Sequence, residues 1–69
     1  MPESVYKIVE VVGSSPVSWE EAASAAVKRA SSSLRDLRIA EVVEQDIAIE
    51  NGKIHAYRTK LKLSFKMED

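Results

Sequence analysis

Glu44, Asp46 and Glu50 recur at even positions in the run VVEQDIAIE. Side chains of an extended strand alternate between faces, so these carboxylates form an acidic line on one face. Carboxylate oxygens are what Ca2+ and Mg2+ take as ligands. Glu44 and Asp46 are therefore candidate metal ligands, although the spacing is not that of an EF-hand loop and a solvated acidic face is the plainer use. Arg58 presents donors in a planar fork that suits a carboxylate or a phosphate. It reads either as a ligand-binding guanidinium or, more commonly for such a residue, as the partner of Glu41, Glu44 or an acid on a neighbouring copy. His55 is the one histidine, and there is no cysteine. Disulfides, thiolate zinc sites and multi-histidine metal sites within one chain are thereby excluded, and His55 reads as a surface or interface residue. No nucleophile and base are paired and no glycine loop cradles phosphate, so nothing here supports an enzyme.

Patterning supplies the elements that position these groups. Residues 42–65, VVEQDIAIENGKIHAYRTKLKLSF, read as one long β-hairpin, because Asn51-Gly52 offers the two φ > 0 residues a two-residue turn demands. Pairing Glu50 with Lys53 sets Gln45 opposite Arg58, Val43 opposite Lys60 and Val42 opposite Leu61. One face is then apolar near the hairpin base (Val42, Leu61, Leu63, Phe65). The other is apolar near the turn (Ile47, Ile49, Ile54, Ala56). Upstream, VYKIVEVV at 5–12 reads as a strand closed by Gly13 and buried from two directions. Ser18 is a helix cap, with Glu21 completing a capping box. The helix is expected from Trp19 to Leu37, with the stripe Trp19, Ala22, Ala23, Ala26, Val27, Ala30, Leu34 and Leu37. Its alanines allow close approach to a sheet, and Lys28, Arg29, Arg35 and Arg38 gather toward its C-terminal half.

The order β-α-β-β predicts an α+β fold, a three-stranded antiparallel sheet wrapped around one long helix, as a single domain over 1–69. The helix is expected to cover the hairpin base and to leave Ile47, Ile49, Ile54 and Ala56 beyond its reach. Burial against other copies of the chain is the preferred fate of that patch. A β-bulge that flips the register and returns the isoleucines to the core is the alternative.

Sixty-nine residues lie near the lower size for a self-sufficient core. With disulfides excluded, oligomerisation is the support that remains. The formal charge of −1, with 30% charged residues of both signs, gives no field favouring nucleic acid or an acidic membrane. Surface aromatics for base stacking are absent, no apolar run approaches the ~20 residues of a membrane span, and no signal-peptide pattern is present. A soluble, cytoplasmic protein without nucleic-acid or membrane partners is expected.

The segments VYKIVEVVGSSPVSWEEAASAAVKRASSSLRDLR, AEVVEQ, NGK, AYR and LKLSFKMED together resemble the dodecins over essentially the whole chain. The resemblance implies a hollow, roughly spherical homododecamer that packs the long hairpin on neighbouring subunits. It also implies non-enzymatic binding of flavins, in pairs, at two-fold positions. In flavin-binding relatives a tryptophan just before the Ala/Phe-Glu-Val segment stacks on the isoalloxazine ring, and here that position is Ile39. A glutamine directly after the last strand's tyrosine reads the ring edge, and here it is Arg58. Ile39, Gln45 and Arg58 are the positions to which the resemblance assigns cofactor contact. Isoleucine has no π-face to stack, and arginine offers donors only where glutamine offers both donor and acceptor. The expectation is a retained shell with weak or absent binding of FMN or riboflavin. The stretch EQD resembles a calcium-binding branch of the family, which makes Ca2+ at Glu44 and Asp46 the alternative ligand. A genuine flavin buffer is a further one.

Overall fold

Asn51 and Gly52 take φ of 52° and 74°, the left-handed pair that a two-residue hairpin turn requires. They join β2 (Leu37–Glu50) to β3 (Lys53–Lys66), which follow β1 (Tyr6–Ser15) and α1 (Trp19–Ser31). The computed structural model describes residues 3–67. The sheet is antiparallel in the order β1-β3-β2, so the expected β-α-β-β fold is present with the last strand in the middle.

The helix starts where expected. Ser18 is extended, and its hydroxyl accepts the Glu21 N–H at 3.0 Å. The helix ends earlier than expected, at Ser31 rather than at Leu37. Serine side chains compete with the backbone for its own hydrogen bonds, and Ser32 Oγ donates to the Arg29 carbonyl at 2.7 Å. Asp36 then takes φ 53° and reverses the chain, so Leu37 opens β2 opposite Phe65 instead of closing the helix stripe. Arg35 and Arg38 fall outside the helix, while Lys28 and Arg29 occupy its last turn. Thirteen residues span roughly 20 Å, against a molecular long axis of 54 Å. The hairpin overhangs the helix by even more than the sequence implies.

Gly13 does not close the first strand. β1 continues through it to Ser15, with Gly13 opposite Thr59. A Cβ there would stand 1.9 Å from the Ala22 carbonyl oxygen and 3.0 Å from the Ala26 Cβ. Glycine and alanine thus let helix and sheet approach to backbone contact, as the alanine stripe anticipates. The helix lies over β1 and β3. Leu61, Leu63 and Thr59 are buried beneath it and its own Ala22 is buried, whereas Val42 on edge strand β2 is 53% exposed, contrary to expectation. The helix-free side of β1 is also open: Tyr6, Ile8 and Val12 are exposed, so one chain buries this strand from one direction.

The hairpin register departs from the uniform one. Glu50↔Lys53, Ile49↔Ile54 and Val42↔Leu61 pair as expected, but Ala48 faces Ala56 and Glu44 faces Lys60. His55 is the extra residue at one shift and Val43 at the other, and a further irregularity lies between Leu37 and Ile39. The block Glu44–Ala48 is therefore one residue out of step with its flanks. Gln45 faces Thr59 instead of Arg58, and Val43 has no partner opposite. Ala56 is buried, but Ile47, Ile49 and Ile54 stay 36%, 70% and 55% exposed. The bulges exist and do not bury the isoleucines.

Candidate functional site

The displaced block sets Asp46 directly opposite Arg58. Arg58 Nε donates to Asp46 Oδ1 at 2.7 Å and its Nη2 to Oδ2 at 3.0 Å, a bidentate pair with both side chains about half exposed. The hydrogen bonds from Arg58 hold the Asp46 carboxyl below its ordinary value. The same bonds raise Arg58, with a smaller pull from Glu44. Arg58 is thus paired, but with neither Glu41 nor Glu44. Glu41 stands opposite Lys62 in the unshifted register, and the one-residue displacement carries Glu44 to Lys60.

Asp46 is also fixed through its backbone. The Trp19 indole N–H donates to the Asp46 carbonyl at 3.0 Å, and the indole meets the Tyr57 ring edge-on at 5.2 Å and 74°. Thr59, fully buried, donates its hydroxyl to the Trp19 carbonyl at 3.0 Å. Edge-to-face rings add ~0.5–1.5 kcal/mol beyond area, and each neutral hydrogen bond nets ~1 kcal/mol. The start of the helix is thereby tied to both hairpin strands around one residue. The apolar spacing marks Trp19 only as a member of the helix stripe. The available signal was its indole N–H, which needs an acceptor when the ring is packed.

The other expected site residues disperse. Ile39 faces Ser64, so it shares the helix-free face with Arg58. Ser64 lies six positions along β3 from Arg58, roughly 20 Å along the strand. Gln45, opposite Thr59, lies on the other face. Glu44 shares the face of Asp46, but both Asp46 oxygens already accept from Arg58. Among the described residues, no group of three or more His, Cys, Asp or Glu is placed to hold a metal ion. The helix-free face is instead a charge ladder. Arg58, Lys60 and Lys62 run down the central strand, opposite Asp46, Glu44 and Glu41, and Lys60 Nζ lies 3.8 Å from Glu10 Oε1 on β1. At the far end of the sheet an open groove of about 380 Å³ has Lys7, Arg35 and Lys66 around Phe65 and Met67, a lining suited to an anion with an apolar part.

A short helix laid over a three-stranded antiparallel sheet, with the last strand central and a polar ladder on the open face, defines a small ligand-binding protein of the dodecin type. The dodecin family model matches residues 5–68, and the chain belongs to that family. It is 52% identical over 64 residues to the calcium dodecin of Mycobacterium tuberculosis, covering 93% of this chain and 90% of that one. The crystal structure of that calcium-chelating antigen, described with a novel calcium-binding site, superposes with a TM-score of 0.84 at 55% identity, covering 94% of this chain and 93% of the other. Dodecin from Streptomyces coelicolor gives a TM-score of 0.93 at 39% identity, covering 100% of this chain and 99% of the other. No helix among the described residues is long and apolar enough to cross a membrane.

Proposed function

We propose that this chain is a non-enzymatic small-ligand-binding dodecin that assembles as a hollow homododecamer, with its usual flavin site altered so that FMN and riboflavin bind weakly or not at all. The observation that carries this reading is the bidentate engagement of Arg58 by Asp46, at the position where flavin-binding relatives use a glutamine. The guanidinium is committed to a carboxylate and offers no acceptor to the ring's N–H. Ile39, exposed on the same face, supplies area but no stacking surface. The assembly is supported by the uncovered Ile8, Ile39, Ile47, Ile49 and Ile54, too many exposed apolar side chains for a lone subunit of this size. Quenching of riboflavin or FMN fluorescence on titration is expected to give micromolar or weaker affinity. Submicromolar quenching overturns the reading. The double change Ile39→Trp with Arg58→Gln is expected to restore binding.

A second reading, divalent-cation binding, is favoured by the 52% identical relative named calcium dodecin. Glu44 and Asp46 are the residues to carry it. With both Asp46 oxygens on Arg58, a bound Ca2+ must displace the guanidinium or draw its remaining oxygens from another copy, since the ion takes 6–8 of them. The melting temperature is then expected to rise with calcium and to fall back with chelator, by mass action. A melt unchanged across millimolar calcium removes this reading.

A further inference from the structure

We infer that Trp19, on the helix-covered side of the sheet, is a positioning residue for Arg58 on the open side, acting through Asp46. The contacts close a ring that passes through the sheet. Arg58 holds the Asp46 carboxylate by two hydrogen bonds, and the Asp46 carbonyl accepts from the Trp19 indole. The residues on either side of Arg58 complete the ring: Tyr57 meets the indole edge-on, and Thr59 donates to the Trp19 carbonyl. Alternation along β3 puts Arg58 on the face opposite to these two neighbours. The inference rests on the reading above only in taking Arg58 as a ligand-facing group.

The register explains why β2 needs this hold. Asp46 lies in the block between the shifts at Val42/Glu44 and Ala48/Ile49, on an edge strand. A bulge disrupts the ladder and bends its strand, so pairing with β3 fixes this block less firmly than an uninterrupted strand. The helix lies mainly over β1 and β3, and Trp19 reaches past them to the block. Its N–H has a set direction, because buried Thr59 anchors its backbone and Tyr57 confines its ring. A half-exposed ion pair gains little on its own against the entropy of ordering two side chains. Holding the Asp46 backbone beforehand lowers that entropy cost. The donors Arg58 has left, at Nη1 and the second hydrogen of Nη2, then keep one place on the open face, where a ring edge would meet them.

Exchange of the Arg58 Nε–H with water, followed by NMR on the intact protein, reports how often the pair opens, and Arg58→Lys assigns the signal. Asp46→Ala sets the rate of a released guanidinium. Trp19→Phe keeps a ring against Tyr57 and loses the N–H. It is expected to speed exchange by up to about fivefold toward the released rate, the range an exposed pair supplies. Thr59→Val, which removes the hydroxyl that anchors the Trp19 backbone, should act the same way but less, and is the deciding variant where Trp19→Phe does not fold. Gly52→Ala strains a turn with nothing near the added atom, so it weakens the fold away from the ring and should leave the wild-type rate. In the Asp46→Ala background, Trp19→Phe should add nothing. A wild-type rate in the deciding variant, an equal rise in Gly52→Ala, or a rise that persists without the Asp46 carboxylate overturns the inference. These rates are read without ligand. Failure of the weak-flavin reading gives a separate signal, submicromolar riboflavin quenching by the wild type.

Discussion

Asp46 is used twice over: its side chain holds Arg58 and its carbonyl accepts from the Trp19 indole. Its carboxyl titrates below the ordinary 3.8 because Arg58 hydrogen-bonds the charged form. A folded value below the unfolded one means that the pair's stabilisation is fully present above the unfolded value and is lost as pH falls through the folded one. The melting-temperature difference between the wild type and Asp46→Asn should therefore be constant above about pH 5 and shrink toward zero in stronger acid. The amplitude should be small, since both groups are half exposed. A difference that grows on acidification would reverse the assignment. At the same node, Trp19→Phe keeps a ring against Tyr57 but strands the Asp46 carbonyl. Urea unfolding should show a loss of about 1–2 kcal/mol, and no loss would mean that the hydrogen bond to Asp46 adds nothing to stability.

At the scale of elements, two glycines have different purposes. Gly13 admits the helix, whose Ala22 carbonyl would lie 1.9 Å from an added Cβ, while Gly52 has φ 74° and nothing within 4 Å of such an atom. Gly13→Ala must push helix and strand apart, at a cost of about 1–3 kcal/mol or more. Gly52→Ala strains only the turn backbone, by roughly 1–2 kcal/mol. Thermal melts should rank Gly13→Ala as the more damaging change and the one that disturbs the Trp19 environment, read by its fluorescence. Equal effects would mean that the helix can lift off β1 freely.

The molecule as a whole has little interior of its own. Among the described residues the largest fully buried side chains are Leu61, Leu63 and Thr59, while Ile49 and Ile54 stand exposed at the hairpin tip, beyond the helix. In the proposed assembly, a chain of 7.7 kDa with this balance would gain stability by covering that tip with other copies. Sedimentation should give a species near twelve times the subunit mass that survives dilution. Ile54→Asp, which places an unpaired charge in the proposed contact, should break it into smaller species with a lowered melt. A monomeric wild type at micromolar concentration would remove the assembly from the proposal.

Local chemistry accounts for what could be read before folding. The Asn51-Gly52 turn, the Ser18 cap and the element order follow from backbone preferences within a few residues, and the alanine stripe announced the close helix–sheet contact. The resemblance of residues such as the VVGSSPVSWEE run named the family. Features that depend on two strands settling against each other were out of reach. The Ser31–Ser33 run ends a helix that the apolar spacing of Leu34 and Leu37 would extend, and Leu37 instead pairs in the sheet opposite Phe65. The bulges at Val43 and His55 moved one block of β2 by a residue. That shift decided which acid Arg58 holds and put Gln45 on the other face. Alternation along a strand is written in the sequence, but where the count slips depends on how side chains of both strands and the helix pack, and only the tertiary structure fixes that.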